Sequence, residues 1–414
     1  MPAHLHHINV YGTDIPVIFE QDGYLPLGSM QLVFENGGAL NDALPGVAKM
    51  AARLLGEGTR RDGASAFAER LESQAVSLSA HAGRETFVVE LSSLMESFDY
   101  GVGLLAELLG DPNMTLDAFA KVQTQTEGKL TQKQSDFDYQ ASVGLSSILF
   151  ENTPLADPMD GTLESVRKME VEDVLVHLTT FASLYNLVVV IGGDMTLEQA
   201  EGFIRRAIAP LKQTSAQPIG HFAATDAARI VHQYHATDQA YVYFGSPFDV
   251  AYDGDETALA KVAGFVLGSS GFGSRLMEEI RVERGLAYSA YGRFALNRSA
   301  SYFTGHLQTK IESEAEAIQV VRDVVSRFVR EGITAKELEG AKLFLLGSEP
   351  LRNETLQQRL GRAFNDFYAG KPLDASTQEL AQIEAMSLEE ANRFIAAHGE
   401  IEKLSFSVVT QKSS

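Results

Sequence analysis

Side chains that could bind a metal ion or act as a nucleophile are few in this sequence. His4, His6 and His7 form a cluster near the N-terminus, but no carboxylate motif accompanies them, so we expect at most adventitious metal binding there. His232 and His235 lie three residues apart in strand-like sequence, which predicts that they point to opposite faces and do not chelate one ion. The chain has no cysteine and no G-x-S-x-G motif for a serine nucleophile. None of these residues predicts a metal site or a nucleophile.

A predicted helix over residues 46–55 has two different faces. One face is an apolar stripe that recurs with helical spacing, and we expect it to be buried. The stripe consists of Val47, Met50, Ala51, Leu54 and Leu55. On the other face Lys49, Ala52 and Arg53 lie together. The spacing of Arg53 and Glu57 predicts an exposed ion pair between neighbouring turns of the helix.

The segment GVAKMAARLLGEGT, residues 46–59, resembles the inverted zinc motif H-x-x-E-H of the pitrilysin, insulinase and mitochondrial processing peptidase family. The flanks carry the resemblance, at Gly46, Val47, Ala48, Leu55, Gly58 and Thr59. Lys49, Ala52 and Arg53 stand where the family has its first ligand His, its general-base Glu and its second ligand His. Zinc takes imidazole, thiolate or carboxylate donors, whereas an ammonium or guanidinium group has no lone pair to give at neutral pH. We therefore expect no zinc on this helix.

The family's third zinc ligand is a Glu on a later helix, and by the resemblance its position falls on Lys129. Glu127 lies two residues away and points to nearly the opposite side of a helix, so it is a poor substitute. The resemblance thus implies that all four catalytic positions are lost together. For the face of Lys49, Ala52 and Arg53 we favour an inert, solvated remnant over a basic pocket with a new role. The sequence leaves open whether Lys49, Arg53 and Lys129 have a new role.

The segment SRLMEEIRVERGLAYSAYG, residues 274–292, is similar to a signature of the same family's C-terminal domain. The resemblance implies that Arg281 and Tyr288 are the family's Arg/Tyr pair, which contacts the scissile-bond region of a bound peptide. A guanidinium and a phenol can donate hydrogen bonds to a carbonyl oxygen as it gains negative charge. Gly285 is expected to end the helix, so Tyr288 lies in the next strand and the pair must converge through a turn. The alternative is an ion-paired Arg281 and a Tyr288 packed in the core.

Three glycines precede this segment, at positions 268, 271 and 273. They resemble a phosphate-binding loop only superficially, because the Gly-Lys-Ser/Thr ending is missing. We interpret this loop as a flexible lead into the helix.

Charge and hydropathy argue against several classes of protein. The 414 residues carry a formal net charge of −21, which disfavours nucleic acid and anionic membrane as partners. No apolar run approaches the ~18 residues that span a bilayer, and the N-terminus lacks the charged start and apolar core of a signal peptide. We expect a cytoplasmic protein and leave the periplasm open, because a mature exported chain could begin in the same way.

The elements that carry these motifs occur in two similar halves. Each half mixes strand-like and helical segments in blocks, which favours an α+β fold. We predict an N-terminal domain over residues 1–212, a linker over 213–224 and a C-terminal domain over 225–414. Capping-box patterns predict helix starts at Thr196, with Gln199, and at Ser313, with Glu316. Each domain is expected to pack an antiparallel-type sheet against helices, and the resemblance implies that the chain forms half of a clam-like dimer.

The resemblance implies a catalytically incomplete subunit of a heteromeric zinc metallopeptidase. In this interpretation the chain holds no cofactor, the zinc belongs to a homologous partner subunit, and the substrate is an unfolded peptide. We expect no peptidase activity from the chain alone. Two alternatives stay open: a non-catalytic structural or peptide-binding protein, and an active homodimer that recruits metal in another way.

Overall fold

The computed structural model describes residues 2–215 and 218–412, so residues 216 and 217 of the predicted linker lie outside the described residues. The chain divides into two compact units. The first consists of Met1–Thr131, Pro158–Ile219 and Leu351–Asp374, and the second consists of Gln132–Asp157, Gly220–Pro350 and Ala375–Ser414. Within the described part of the chain, no helix combines the length and apolar character needed to cross a membrane.

The strands follow the β-branched and aromatic runs of the sequence. They are β1 (His4–Val10), β2 (Thr13–Gln21), β3 (Leu27–Phe34), β4 (Ser77–Ala82), β5 (Phe87–Leu94), β6 (Leu187–Gly193), β7 (Ile230–Tyr234), β8 (Gln239–Pro247), β9 (Ala287–Leu296), β10 (Ser301–Lys310) and β11 (Ser405–Thr410). Every residue of β6 and β11 is buried. A strand that is buried on both faces needs a nearly continuous apolar run, and LVVVIGG in β6 supplies one.

Helices occupy most of the remaining chain. They are α1 (Val47–Leu55), α2 (Gly63–Glu72), α3 (Met95–Gly110), α4 (Leu116–Lys133), α5 (Phe137–Leu149), α6 (Leu163–Lys168), α7 (Val171–Phe181), α8 (Leu197–Ala207), α9 (Thr257–Gly264), α10 (Arg275–Met277), α11 (Glu314–Glu331), α12 (Ala335–Gly347), α13 (Leu356–Tyr368), α14 (Ala375–Ala385) and α15 (Leu388–Ala397). α9 continues directly into a π-helical turn at Phe265–Ser269, and α10 into another at Glu278–Glu283. Such turns are rare and are frequently found at functional sites.

The two units contain sheets of the same topology. The strand order is β1-β2-β6-β3-β5-β4 in the first unit and β7-β11-β8-β10-β9 in the second. Apart from the additional edge strand β1, every position matches, including the parallel pair, which is β2 with β6 in one sheet and β7 with β11 in the other. The predicted α+β fold with two homologous domains is confirmed, with one parallel pair in each otherwise antiparallel sheet.

Each sheet is covered in part by a helix from the other half of the sequence. α5 packs on β8 and β11 in the second unit, and Gly144 of α5 approaches Ser407 so closely that a Cβ atom would clash. α13 packs on β2 and β6 in the first unit. There it buries Leu360 and Ala363 against Ile18 and neighbouring strand residues.

The two predicted capping boxes have different outcomes. Thr196 and Gln199 form the box at the start of α8, so that prediction is confirmed. Ser313 makes no side-chain capping bond at the start of α11, so the second prediction is wrong. A capping side chain reaches the helix when its backbone is extended, whereas Ser313 has φ −98° and ψ 0° because it ends a 3₁₀ turn, Ile311–Ser313.

Candidate functional site

α1, the helix that carries Lys49, Ala52 and Arg53, is held at its start by a buried carboxylate. The two oxygens of Asp42 accept hydrogen bonds from the backbone N–H groups of Gly46 and Ala48, each at 2.8 Å. His177 lies beside Asp42, with its Nδ1 3.9 Å from Oδ1, and its Nε2 donates to the carbonyl oxygen of Gly37 at 3.0 Å. Burial raises the pKa of Asp42 and lowers the pKa of His177, so it favours the neutral form of both groups.

The glycines on either side of α1 are required by the backbone. Gly46 has φ 101°, and a Cβ atom there would lie 2.9 Å from the carbonyl oxygen of Asp160. Gly58 has φ +75°, and a Cβ atom there would lie 2.6 Å from the carbonyl oxygen of Gly63. Both positions combine left-handed backbone with a close approach, which suits glycine alone. These two glycines of the motif-like frame therefore serve folding, and the backbone needs them whether or not a metal binds.

Arg53 is engaged in the interior of the first unit and is not a solvated remnant. Its Nη1 donates to Thr126 Oγ1 at 3.0 Å, and its Nη2 donates to Asp160 Oδ1 at 2.9 Å. The predicted pairing of Arg53 with Glu57 is wrong. Glu57 instead accepts from Lys121 Nζ at 2.7 Å. Both carboxylates are partly buried, with side-chain exposures of 22% for Asp160 and 13% for Glu57, so contacts between segments and not exposure decide which cation each one binds.

The residue that faces α1 from α4 is Thr126, which is 1% exposed. It lies 73 residues after Arg53. Lys129, to which counting along the chain assigned the third ligand position, is exposed on the same helix, and Glu127 forms an ion pair with Arg167 at 2.9 Å. The hydroxyl group of Thr126 is therefore what faces Arg53, the residue at the family's second ligand position.

These side chains do not fit a zinc ion. Ammonium and guanidinium groups repel a cation and have no lone pair for it, and a methyl group and a single hydroxyl do not complete the three protein ligands of a catalytic zinc site. Across residues 2–215 and 218–412, no group of three or more His, Cys, Asp or Glu side chains is placed to hold a metal ion. His7 of the terminal cluster bonds Asp14 at 2.8 Å, and His232 bonds Glu314 at 2.9 Å.

Replacing Arg53 with Met is expected to lower the free energy of unfolding by about 1–2 kcal/mol, because a charge-assisted contact with Asp160 and a bond to buried Thr126 are lost. The free energy of unfolding of the first unit in urea measures the change. Arg60→Met is the matched control, since Arg60 is 65% exposed with its nearest carboxylate at 3.7 Å, and we expect a change below ~0.5 kcal/mol there. Equal effects of the two substitutions would contradict an interior role for Arg53.

The second candidate group lies in the second unit, where the structure brings Arg281 and Tyr288 together. Arg281 is in the π-helical turn that follows α10, and Gly285, with φ +61°, ends that turn. Tyr288 follows as the second residue of β9. The guanidinium carbon of Arg281 lies 4.4 Å from the centroid of the Tyr288 ring and 4.7 Å from that of Phe272. All three side chains thus form one cation–π cluster.

The cluster disagrees with the alternative of an ion-paired Arg281 and a core Tyr288. Among the described residues no carboxylate lies within 4.0 Å of the Arg281 guanidinium, and the nearby Glu279 pairs with Arg327 and Arg284 instead. The Tyr288 side chain is 81% exposed. A half-buried guanidinium and an exposed phenol therefore lie together, and both can donate hydrogen bonds to a bound carbonyl oxygen.

Other residues of the same segment have structural roles. Ser274 is fully buried and caps α10, accepting from the backbone N–H of Met277 at 3.4 Å. Arg275 binds both carboxylate oxygens of Glu337, at 2.7 and 2.8 Å. Burial alone would raise the pKa of Glu337, but hydrogen bonds from Arg275 and Thr334 outweigh it and lower that pKa to about 2.

Replacing Arg275 with Met is expected to cost at most about 3 kcal/mol at pH 7. The folded pKa of Glu337 lies below its reference value of 4.5. Its carboxylate therefore stabilises the fold fully above pH 4.5, and this contribution disappears as the pH falls towards 2. The difference in unfolding free energy between wild type and variant should shrink over that window, which urea titrations at several pH values would measure. A difference that stays constant down to pH 2.5 would contradict this account, and Arg330→Met, at a 67% exposed side chain, is the control.

Two family models match the chain. The model described as insulinase (peptidase family M16) matches residues 17–163, and the model described as peptidase M16 inactive domain matches residues 168–345. A Helicobacter pylori protein described as "Non-peptidase homolog YmxG" is 43% identical over 409 residues, which cover 99% of this chain and 94% of that protein. The chain belongs to peptidase family M16. The resemblance predicted from residues 46–59 and 274–292 is confirmed.

Solved structures show the same M16 fold. A crystal structure of a peptidase M16 inactive domain from Pseudomonas fluorescens has a TM-score of 0.92 at 23% identity and covers 99% of this chain and 98% of its own. The crystal structure of a protease from Helicobacter pylori has a TM-score of 0.86 at 15% identity, with 99% and 100% covered. The chain is thus an M16 member whose α1 lacks the metal ligands and general base of the family motif.

Sequence reasoning missed several residues of these two groups. Thr126 and Asp160 carry no motif, and only the packing of α4 and the 158–161 segment against α1 brings them to Arg53. Phe272 gave one available signal, because a large aromatic residue stands between Gly271 and Gly273 in a loop that we interpreted as a flexible lead.

Proposed function

We propose that this chain is the non-zinc subunit of a heteromeric M16 metallopeptidase that acts on unfolded peptides. It supplies Arg281 and Tyr288 to a homologous partner subunit, and that partner carries the zinc. The observation that carries the proposal is the contrast between the two groups of side chains. The α1 face has no metal donors, whereas Arg281 is without a carboxylate partner among the described residues and contacts an 81% exposed Tyr288.

The chemistry of the pair suits a peptide bond under attack. As a nucleophile adds to the carbonyl carbon, negative charge develops on the oxygen, and donors that are already in place stabilise it. The in-plane N–H groups of Arg281 and the phenol O–H of Tyr288 are such donors. Both donors also orient the peptide before the bond is cut.

A second candidate function is a non-catalytic structural or peptide-binding protein. The name of the Helicobacter pylori relative, "Non-peptidase homolog", favours it. The same name is compatible with the first proposal, because a subunit that borrows its metal is not a peptidase by itself. The two functions differ in whether the partner's turnover depends on Arg281 and Tyr288.

The deciding experiment mixes the purified chain with an M16 homologue from the same genome that has an intact H-x-x-E-H motif. Hydrolysis of fluorescein-labelled β-casein, an unfolded protein, is followed for each chain alone and for the mixture. We expect no hydrolysis by this chain and a gain on mixing beyond the activity of the homologue alone. Hydrolysis by this chain alone, or no gain on mixing, would overturn the proposal.

A further inference from the structure

Phe272 is the third member of the cation–π cluster around Arg281. Its ring centroid lies 4.7 Å from the guanidinium carbon, close to the 4.4 Å of Tyr288. Both distances are within the ~6 Å at which a ring face attracts a cation. Phe272 is 68% exposed, so little of its apolar surface is removed from water by the fold. Hydrophobic burial therefore does not account for its position.

A tight turn holds Phe272 in place. The residue lies between Gly271, with φ +69°, and Gly273, with φ +92°, two left-handed conformations that glycine adopts without strain. Ser274 closes the turn, because its backbone N–H and its hydroxyl both donate to the carbonyl oxygen of Gly271, at 3.0 and 2.8 Å. Ser274 is fully buried and also caps α10. The same side chain thus fixes the loop that carries Phe272 and the helical segment that carries Arg281.

Arg281 needs such support. Among the described residues it has no carboxylate within 4.0 Å, and an unrestrained arginine side chain carries a large rotamer entropy that binding must overcome. In the described residues the Arg281 guanidinium contacts two rings and no carboxylate, so its N–H groups remain available to donate to a ligand. We infer that Phe272 is a positioning residue, which holds Arg281 so that these N–H groups donate to the carbonyl oxygen of a bound peptide. This inference rests on the proposed function.

The first part of the test uses the chain alone and needs no partner. The Arg281 Nε–Hε resonance of arginine-labelled protein reports the nearby rings through their ring currents, and Arg281→Lys assigns it. We expect Phe272→Leu to shift this resonance towards the position of a solvated arginine, whereas Phe272→Tyr, which keeps a ring, leaves it near the wild-type position. Val282→Ala, at a neighbouring 54% exposed residue, is the control. An unchanged resonance in Phe272→Leu would overturn the inference.

The second part measures turnover of β-casein by the complex with the zinc-bearing homologue. Phe272→Leu should lower kcat/KM about fivefold, with rescue by Phe272→Tyr and no change in thermal unfolding. In an Arg281→Met background the same substitution should have no further effect, because Phe272 acts through Arg281. An equal loss in both backgrounds would overturn the inference while the proposed function stands. A wild-type complex without turnover would overturn the proposed function and the role of Phe272 in it, although the resonance would still report the contact.

Discussion

Replacing Arg281 with Met is expected to lower kcat of the complex by about 10²- to 10³-fold, and replacing Tyr288 with Phe by a similar order, since each removes one donor to the developing oxyanion. Neither residue is needed for folding, because Tyr288 is 81% exposed and Arg281 has no carboxylate within 4.0 Å among the described residues. The thermal unfolding of both variants should therefore match wild type. Steady-state hydrolysis of β-casein by the mixed complex measures the loss.

Controls for this prediction lie on the same strand. Tyr291→Phe and Arg293→Met change a phenol and a guanidinium in β9 that lie outside the proposed pair, and we expect turnover within about twofold of wild type. Size-exclusion chromatography separates the two candidate functions. Loss of turnover in an intact complex supports a catalytic contribution. Loss of assembly, with unchanged turnover per assembled complex, supports a structural role and contradicts the first proposal.

Replacing Arg359 with Met is expected to destabilise the first unit by about 3–5 kcal/mol, the cost of leaving a buried charge without its partner. Arg359 lies on α13 and its Nε donates to Glu20 Oε1 at 2.7 Å. Glu20 is 2% exposed, and its other oxygen, Oε2, has no hydrogen-bond partner in the described structure. Arg359 also binds Asp22 and the carbonyl oxygens of Asn353 and Glu354. One side chain thus fixes α13 to the end of β2.

Hydrogen exchange of the β2 and β6 amides under mild urea measures this change, because it reports the opening of the first unit separately in a chain of two units. The double variant Glu20→Gln with Arg359→Met should recover a large part of the loss, since the buried charge is removed with its partner. Arg167→Met is the control, because the Arg167 side chain is 62% exposed in its pair with Glu127 and should change stability by less than ~1 kcal/mol. A loss in Arg359→Met no larger than in this control would show that the buried pair contributes little.

Local sequence patterns predicted the parts of the fold that depend on neighbouring residues. The buried run of β6, the apolar stripe of α1 and the capping box at Thr196 all follow from periodicity or side-chain reach within one segment. The positions of α5 and α13 on the two sheets do not follow from the sequence of one segment. An amphipathic helix shows that one face is buried, but not which sheet it covers, and here each helix covers the sheet of the other half.

The same limit applies to the candidate site. The signature at residues 274–292 led to Arg281 and Tyr288, which do come together. Counting from Arg53 led to Lys129, whereas Thr126 is the residue that contacts Arg53, because the lengths of intervening loops vary freely at the surface. Phe272 was missed because its position depends on a turn closed by the buried Ser274. Contacts between segments decided each of these cases.

The zinc content of the purified chain tests the central claim most directly. The chain is incubated with zinc and dialysed against a moderate chelator, and bound metal is then measured by plasma mass spectrometry. Because Lys49, Ala52 and Arg53 stand where the family motif has its ligands and base, and Arg53 contacts the hydroxyl group of Thr126 on α4, we predict far less than one zinc per chain. One tightly held zinc per polypeptide, coordinated by the chain's own atoms, would contradict the claim that this M16 member must obtain its metal from a partner.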